Sequence, residues 1–265
     1  MPTSRVLFLG DIVGEPGRQA VKELLPVLRS ELAPEFVFAN CENAAAGYGI
    51  VPKLVEELLG LGIDCLTTGD HAFDRRESWP LFDSEPRLLR PLNLPQQVPG
   101  RGVCVCEKVG RRVALVNAVG RVFMKPAECP FRAVAAALDD IRQATATVIV
   151  DFHAEATAEK QGMGWHLDGR ASAVLGTHTH VQTADERILP GGTACISDVG
   201  MCGGFDSILG AEKGLSLRRL VDLLPARLRP AEGDIGVNGV VIEIDTETGR
   251  ARSIERINRR VSPAG

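Results

Sequence analysis

The sequence predicts an α/β protein in which two mixed β-sheets pack face to face with helices on the outside. Short apolar runs alternate with helix-like segments, which is the pattern of an α/β fold. Two further stretches have the pattern of antiparallel hairpins, so the sheets are expected to be mixed. With 265 residues, 45% of them hydrophobic, the chain has the length and balance of one domain spanning residues 1–265.

The strand candidates are apolar runs that end at turn or polar residues. They lie at residues 6–9, 36–39, 65–67, 113–116, 148–152 and 173–175. Helix-like patterns at residues 18–32, 52–61 and 131–142 separate several of these strands. The predicted hairpins join residues 103–109 to 112–118 and residues 239–245 to 252–257.

Charge and cysteine content restrict the class of protein. The formal net charge of −4 gives no basic surface of the kind that long nucleic acids attract, although a small anionic substrate held by metal ions is compatible with it. No apolar stretch reaches the roughly 18 residues of a membrane span, and no secretion signal is recognisable. Seven cysteines at irregular spacing do not form a disulfide framework. We therefore expect a cytoplasmic protein with reduced thiols and no membrane partner.

Carboxylate, amide and imidazole side chains follow the predicted strands. In an open α/β sheet the carboxyl ends of the strands bind ligands, so five strand ends are expected to deliver these side chains to one edge. Four of the five histidines lie there, and only His166 is left over. The candidate residues are Asp11, Glu42, Asn43, Asp70, His71, His153, His178 and His180.

Imidazoles and carboxylates gathered at one edge predict a metal site. Unpaired burial of a carboxylate costs several kcal/mol, and a divalent ion removes that cost. Histidines with carboxylates and an amide suit Fe, Mn, Zn or Co better than Mg or Ca. A lone strand-end Asp is usually a turn or a helix cap, and a lone HxH is often only structural. Five such strand ends together favour metal binding.

Two other features have simpler interpretations. Cys104 and Cys106 face one side of a strand candidate, which favours packing over metal binding. Trp165 and His166 either line the mouth of a substrate site or end a surface helix, with the helix end favoured.

Six sequence blocks and the C-terminal hairpin region closely resemble the YmdB-like branch of calcineurin-type metallophosphoesterases. The blocks run from residue 5 to about residue 204: GDIVGEPGR, NCENAAAGYG, TTGDHAFD, DFHAEATAEK, GRASAVLGTHTHVQTADERILPGGTA and SDVGMCG. The resemblance implies a four-layer α/β/β/α sandwich and a centre of two metal ions, iron first, with manganese or other divalent ions as substitutes. It also implies hydrolysis of small phosphodiesters such as 2′,3′-cyclic nucleotides, and a homo-oligomer.

The resemblance also implies roles for individual residues. Asp11, Asn43 and His180 would bind one ion, Asp70, His153 and His178 the other, and Glu42 would bridge both. His71 would act as general acid and phosphate contact, with Asn43 beside it among the catalytic and substrate-binding residues. A hydroxide activated by the metals would attack phosphorus while His71 protonates the leaving oxygen.

Two positions depart from the family pattern. The family has Asn where this chain has Asp70, which adds a negative charge to the second metal's shell. The Asp-x-His opening of the wider superfamily is also absent, because Val13 follows Asp11 by two positions, and Asn43 is expected to fill that vacancy.

Three other functions compete with the phosphodiesterase. A phosphomonoesterase or protein phosphatase would use the same metals on a different ester. A regulatory protein would bind a nucleotide through the metals without useful turnover, and Asp70 gives this alternative some weight. A metal-dependent amidohydrolase is disfavoured, because its HxH normally lies on an early barrel strand.

Overall fold

The computed structural model describes residues 2–262 and contains two β-sheets packed against each other. Helices cover the outer face of each sheet, which gives four layers in the order α/β/β/α. The predicted fold class and its two mixed sheets are therefore confirmed.

The described strands are mostly short. They are β1 (Thr3–Leu9), β2 (Asp11–Ile12), β3 (Phe36–Asn40), β4 (Cys65–Thr67), β5 (Val103–Lys108), β6 (Arg111–Val119), β7 (Val148–His153), β8 (Ala173–Thr177), β9 (Arg187–Ile188), β10 (Ala194–Ile196), β11 (Met201–Gly204), β12 (Ile235–Asp245) and β13 (Ala251–Arg260). The α-helices are α1 (Gly14–Leu32), α2 (Pro52–Gly60), α3 (Trp79–Ser84), α4 (Pro130–Ala144), α5 (Thr157–His166) and α6 (Lys213–Val221), and a 3-10 turn at Arg76–Ser78 leads into α3.

The first sheet has seven strands in the order β2-β11-β12-β1-β3-β4, with β13 paired to β12. Strands β1, β3 and β4 run parallel, as expected for strands joined through helices. The hairpin of β12 and β13 is antiparallel, and β12 also runs antiparallel to β1. The predicted C-terminal hairpin is present and is longer than its apolar pattern indicated.

The second sheet has six strands in the order β5-β6-β7-β8-β10-β9. Strands β6, β7, β8 and β10 run parallel, whereas β5 and β9 are antiparallel additions at the two edges. The predicted hairpin of β5 and β6 is therefore also present. It turns at Val109 and Gly110, both with positive φ, of 49° and 74°.

The inner core lies between the sheets. Phe8 of β1 and Phe38 of β3 pack with Leu115 of β6 and Ile149 of β7, and all four are fully buried. The opposite face of the first sheet packs on α1 and α2, and that of the second sheet packs on α4 and α5. Both sheets are thus buried on two faces, which explains why their central strands are continuous apolar runs.

This architecture places the carboxyl ends of β1, β3 and β4 opposite those of β7 and β8, because residues that follow these strands contact one another across the two sheets. The candidate residues of both sheets therefore meet at one edge of the sandwich. None of the helices in residues 2–262 has the length and apolar character needed to cross a bilayer.

Candidate metal centre

Four of the candidate side chains converge on one point. Glu42, Asp70, His153 and His178 each offer a ligand atom, and these atoms all lie within 4.8 Å of one another. His153 Nε2 is 3.0 Å from Glu42 Oε1 and 3.4 Å from Asp70 Oδ1. His178 Nδ1 is 3.6 Å from the same oxygen of Asp70. The first sheet thus contributes carboxylates and the second contributes imidazoles.

A second group lies beside the first and contains the amide of Asn43. His180 Nδ1 is 2.9 Å from the carbonyl oxygen of Leu209, which can only accept, so this nitrogen carries the proton. In the neutral imidazole, the lone pair of His180 Nε2 then points at Asn43 Oδ1, 3.2 Å away. Asn43 uses its NH₂ group on the carbonyl oxygen of Gly47. Two acceptors thus face each other, and a cation between or beside them satisfies both.

Asp11 completes this group and is fully buried. Its Oδ2 accepts a hydrogen bond from the backbone N–H of His178 at 3.2 Å. Its Oδ1 has no hydrogen-bond partner, and Asp70 Oδ1 is a second buried oxygen without one among residues 2–262. Buried oxygens left unpaired in this way are costly, and a divalent ion supplies the missing partner. The donor set of carboxylates, imidazoles and an amide oxygen fits such an ion.

The pKa values of these side chains also favour binding of a metal ion. Burial raises the pKa of Asp11 to about 6. Burial works to lower the pKa of His153, but Glu42, Asp70 and Asp11 raise it well above its ordinary value. Burial and the neighbouring His153 lower the pKa of His178 to about 4, so its imidazole is neutral and free to bind a metal. The negative field that attracts a proton to His153 is also the field that attracts a metal ion.

A buried network orients His153. Thr177 Oγ1 donates to Asp151 Oδ1 at 2.7 Å, so its lone pairs are left to accept from His153 Nδ1 at 2.9 Å. Asn40 Nδ2 also donates to Asp151, at 3.1 Å. His153 Nε2 therefore faces the carboxylates, as a metal ligand must. Sequence analysis did not assign a role to Asp151, although a carboxylate inside the fully buried β7 was a signal for one.

The segment that carries His178 and His180 is held in an unusual conformation. Both residues have positive φ, 102° and 63°, a region that residues other than glycine rarely occupy. Asp198 holds the turn, because its Oδ2 accepts from the backbone N and the hydroxyl of Thr179 and from Lys160 Nζ. Lys160 and Asp198 are both buried, and sequence analysis did not predict their pairing.

His71 is placed differently from the other candidates. Its backbone N–H donates to Glu42 Oε2 at 3.1 Å, but its ring turns away and Nδ1 lies 2.7 Å from Asp74 Oδ2. The ring packs edge-on against Tyr48, with 5.1 Å between centroids. His71 Nε2 is 3.9 Å from Asp70 Oδ2, at the rim of the metal group. This position suits contact with a substrate better than metal binding.

A cavity of about 430 Å³ opens directly over these residues. Glu42, Asn43, His71, His178 and His180 line its floor. Its walls combine Tyr48, Leu209 and Leu220 with two arginines, Arg219 and Arg229, and sequence analysis singled out none of the five. A larger neighbouring cavity of about 1330 Å³ contains none of the predicted metal ligands.

Trp165 and His166 line neither of these two cavities. They end helix α5, where His166 Nε2 is 3.2 Å from the carbonyl oxygen of Phe131. The interpretation as a helix end therefore fits the structure.

Comparison with known proteins identifies the family of the chain. The family model described as YmdB-like protein matches residues 7–257. This chain belongs to the YmdB-like family. The resemblance seen in the sequence blocks is therefore confirmed over nearly the whole chain.

Relatives of this YmdB-like chain share both sequence and fold. It is 46% identical to a 2′,3′-cyclic-nucleotide 2′-phosphodiesterase from Bacillus subtilis, over 96% of each chain. A phosphatase from Mycoplasma pneumoniae has 32% identity and a TM-score of 0.92, covering 98% of this chain and 94% of its own. A putative 5′-nucleotidase from Staphylococcus aureus, with 11% identity, shares the fold alone at a TM-score of 0.60, over 97% of this chain and 54% of its own.

Proposed function

We propose that this protein is a metal-dependent phosphodiesterase that hydrolyses small phosphodiesters, with 2′,3′-cyclic nucleotides as the substrate. The observation that carries the proposal is the convergence of donor atoms from both sheets, with two buried carboxylate oxygens unpaired within residues 2–262, beside a cavity of about 430 Å³ that Glu42, Asn43, His178 and His180 line. Ligand cavities of this size hold molecules of nucleotide dimensions. The name of the B. subtilis relative supports the choice of substrate.

The proposed centre holds two metal ions. Asp11, Asn43 and His180 would hold one, Asp70, His153 and His178 the other, and Glu42 would contact both. When bound, divalent ions lower the pKa of a coordinated water and withdraw charge from phosphoryl oxygens. Iron, with manganese as a substitute, suits these imidazole and carboxylate donors.

His71 is the proposed general acid. Asp74 accepts from Nδ1 and thereby leaves Nε2 as the nitrogen that faces Asp70 and the cavity. A proton on Nε2 can pass to the ribose oxygen that leaves phosphorus. The carboxylate of Asp74 and the ring of Tyr48 together restrict rotation of the His71 imidazole and keep it in this orientation.

The walls of the cavity are proposed to bind the rest of the nucleotide. Leu209 and Leu220 give an apolar surface for a base, and Tyr48 adds an aromatic one. Arg219 and Arg229 supply positive charge for phosphate oxygens. Asn43 lines the cavity and lies 3.2 Å from His180 Nε2, so its amide would be placed to bind an ion and to contact a substrate.

The test compares metal-free and metal-loaded protein on defined esters. Chelated protein should be inactive, and Mn or Fe should restore hydrolysis of 2′,3′-cyclic AMP to the 3′-monophosphate. A 3′,5′-cyclic nucleotide and a nucleoside monophosphate serve as controls for ring size and for the ester class. Full turnover by rigorously metal-free protein would contradict the proposal.

Phosphomonoester hydrolysis at the same centre is the second candidate, which the name of the M. pneumoniae relative favours. Faster release of phosphate from the monoester than opening of the cyclic diester would select it. Metal-dependent binding of the cyclic nucleotide without any product would instead indicate a regulatory protein.

We further propose that the chain forms one domain over residues 1–265 and acts as a homo-oligomer in the cytoplasm. Seven free cysteines support a reducing compartment. Exposed leucines on and after α6, such as Leu217, Leu220 and Leu223, support an oligomer, because apolar side chains grouped at a surface favour association. Light scattering of the purified protein tests the oligomeric state.

A further inference from the structure

Three cysteines that have no role in the proposed reaction lie close together in the structure. Cys65 begins β4, an edge strand of the first sheet, and Cys104 and Cys106 lie in β5, an edge strand of the second sheet. Their three sulfur atoms all lie within 4.8 Å of one another. None of the three belongs to the group of Glu42, Asp70, His153 and His178.

The spacing of the sulfur atoms matches metal binding. A metal–thiolate bond of about 2.3 Å places two sulfurs of a tetrahedral or trigonal site roughly 3.8 to 4.0 Å apart. The sulfurs of Cys104 and Cys106 are 3.8 Å apart. A disulfide between these two is disfavoured, because residues two apart in a strand have Cα atoms about 6.6 Å apart, near the upper limit for such a bond.

Burial and charge also suit a metal. Cys65 is fully buried, whereas Cys104 and Cys106 are partly exposed, so an ion can enter from solvent. The positive charges of Arg101 and Arg87 act on Cys104 and offset part of the negative charge of bound thiolates, although Arg87 also pairs with Glu85.

The nearest carboxylate is already engaged. Asp64 precedes Cys65, but one of its oxygens binds Lys108 Nζ and the other accepts from the backbone N–H of Val37. Its carbonyl oxygen is 3.9 Å from the sulfur of Cys106. Sulfur is thus the donor type that this site presents, and a fourth position is left for solvent.

We propose that Cys65, Cys104 and Cys106 form a second, thiolate metal site for a thiophilic d¹⁰ ion, Zn²⁺ first, at the edge where the two sheets meet. Thiolates select Zn²⁺ and Cu⁺, whereas the imidazole and carboxylate centre selects harder ions. An ion bound here would join β4 to β5 and so tie the two sheets together at their edge strands. The site is structural and takes no part in the proposed hydrolysis.

The first test uses Co²⁺ as a spectroscopic probe on reduced, metal-free, full-length protein. Thiolate ligands give an intense charge-transfer absorption in the near ultraviolet, which imidazole and carboxylate ligands lack. We expect the intensity of this band at saturation to correspond to one thiolate-bound Co²⁺ per chain. The band should disappear in the double variant Cys104→Ser, Cys106→Ser and persist in the control Cys129→Ser. Circular dichroism verifies that each variant is folded.

The second test needs no variant. Wild-type protein is alkylated with iodoacetamide with and without Zn²⁺, and each cysteine is quantified by mass spectrometry. Zn²⁺ should slow alkylation of Cys104 and Cys106 at least about tenfold, because a metal-bound thiolate is a poorer nucleophile, while Cys129 is unaffected.

Three outcomes would overturn the proposal. They are a folded wild-type protein without the thiolate band, a band that survives the double variant, and a disulfide among the three cysteines in protein purified without reductant. None of these outcomes bears on the phosphodiesterase test, which measures cyclic nucleotide turnover.

Discussion

The geometry of the proposed metal centre requires glycine at position 69, and Gly69→Ala tests this requirement with a single methyl group. A Cβ at this position would lie 2.1 Å from His153 Cδ2, 2.4 Å from His153 Nε2 and 2.4 Å from Glu42 Oε2. Carbon atoms in contact stay about 3.5 to 4.0 Å apart, so the two ligands must move by roughly 1 to 1.5 Å. Both side chains are buried.

The size of the effect follows from this displacement. Overpacking of a buried site costs about 1 to 3 kcal/mol of stability, so the variant should still fold. A misplacement of about 1 Å at a reactive centre costs on the order of 10²-fold in rate. We therefore expect Gly69→Ala to lose most of its metal and at least about 10²-fold of its cyclic phosphodiesterase activity while keeping its secondary structure.

The assay combines metal analysis, turnover of 2′,3′-cyclic AMP and urea unfolding. Gly60→Ala is the matched control, because its Cβ meets no atom within 4 Å and lies at the end of α2. That control should keep wild-type metal and activity and gain about 0.4 to 1 kcal/mol in the free energy of unfolding. Wild-type metal content and turnover in Gly69→Ala would refute the steric argument.

Four further substitutions separate the proposed roles. His71→Ala should lower kcat by about 10²- to 10⁴-fold with the metal content unchanged, whereas His153→Ala should lose metal, as elemental analysis of both variants will show. Asp70→Asn removes one negative charge that lies 3.4 Å from His153 Nε2, and we expect metal to be stripped at about a tenfold lower chelator concentration. Thr177→Val removes the hydroxyl that orients His153, so metal binding measured by calorimetry should weaken about 10- to 100-fold.

Each of these expectations has a contrary result. Equal metal loss in His71→Ala and His153→Ala would make His71 a ligand. An Asp70→Asn variant that holds metal as tightly as wild type would mean that the charge is compensated, for example by Lys125, whose Nζ is 3.9 Å from Asp70 Oδ2. Thr193→Val is the control for Thr177, since this buried threonine bonds only backbone groups, and equal weakening in both would remove the orientation argument.

The sequence was sufficient to predict the central strands and the edge where the candidate residues meet. Strands buried on both faces must be apolar, so Asp70 after β4 and His153 at the end of β7 stood out against their surroundings. The order of the chain then placed those residues at strand ends. The short strands β9 and β10 were missed because they have too few residues to give a periodic pattern.

Contacts between distant strands could not be read from one sequence. Asp151 acts on His153 through Thr177, which lies 26 residues further along the chain. Cys65 meets Cys104 and Cys106 only because two edge strands of different sheets approach each other. Apolar periodicity specifies which face of a strand is buried and leaves open which strand lies beside it. The cavity wall from Leu209 to Arg229 was missed for this reason as well.

The division of the proposed metal centre between the two sheets couples metal binding to folding of the protein. Each ion of the proposed centre would cross-link the two halves of the sandwich, so its binding free energy would add directly to the free energy of docking the halves. A substitution at the inner core, such as Phe8→Leu, should therefore alter metal affinity from a distance by changing the docking equilibrium. We expect newly made chains to become active only after the two halves have docked, and partly unfolded chains to release their ions as the halves separate.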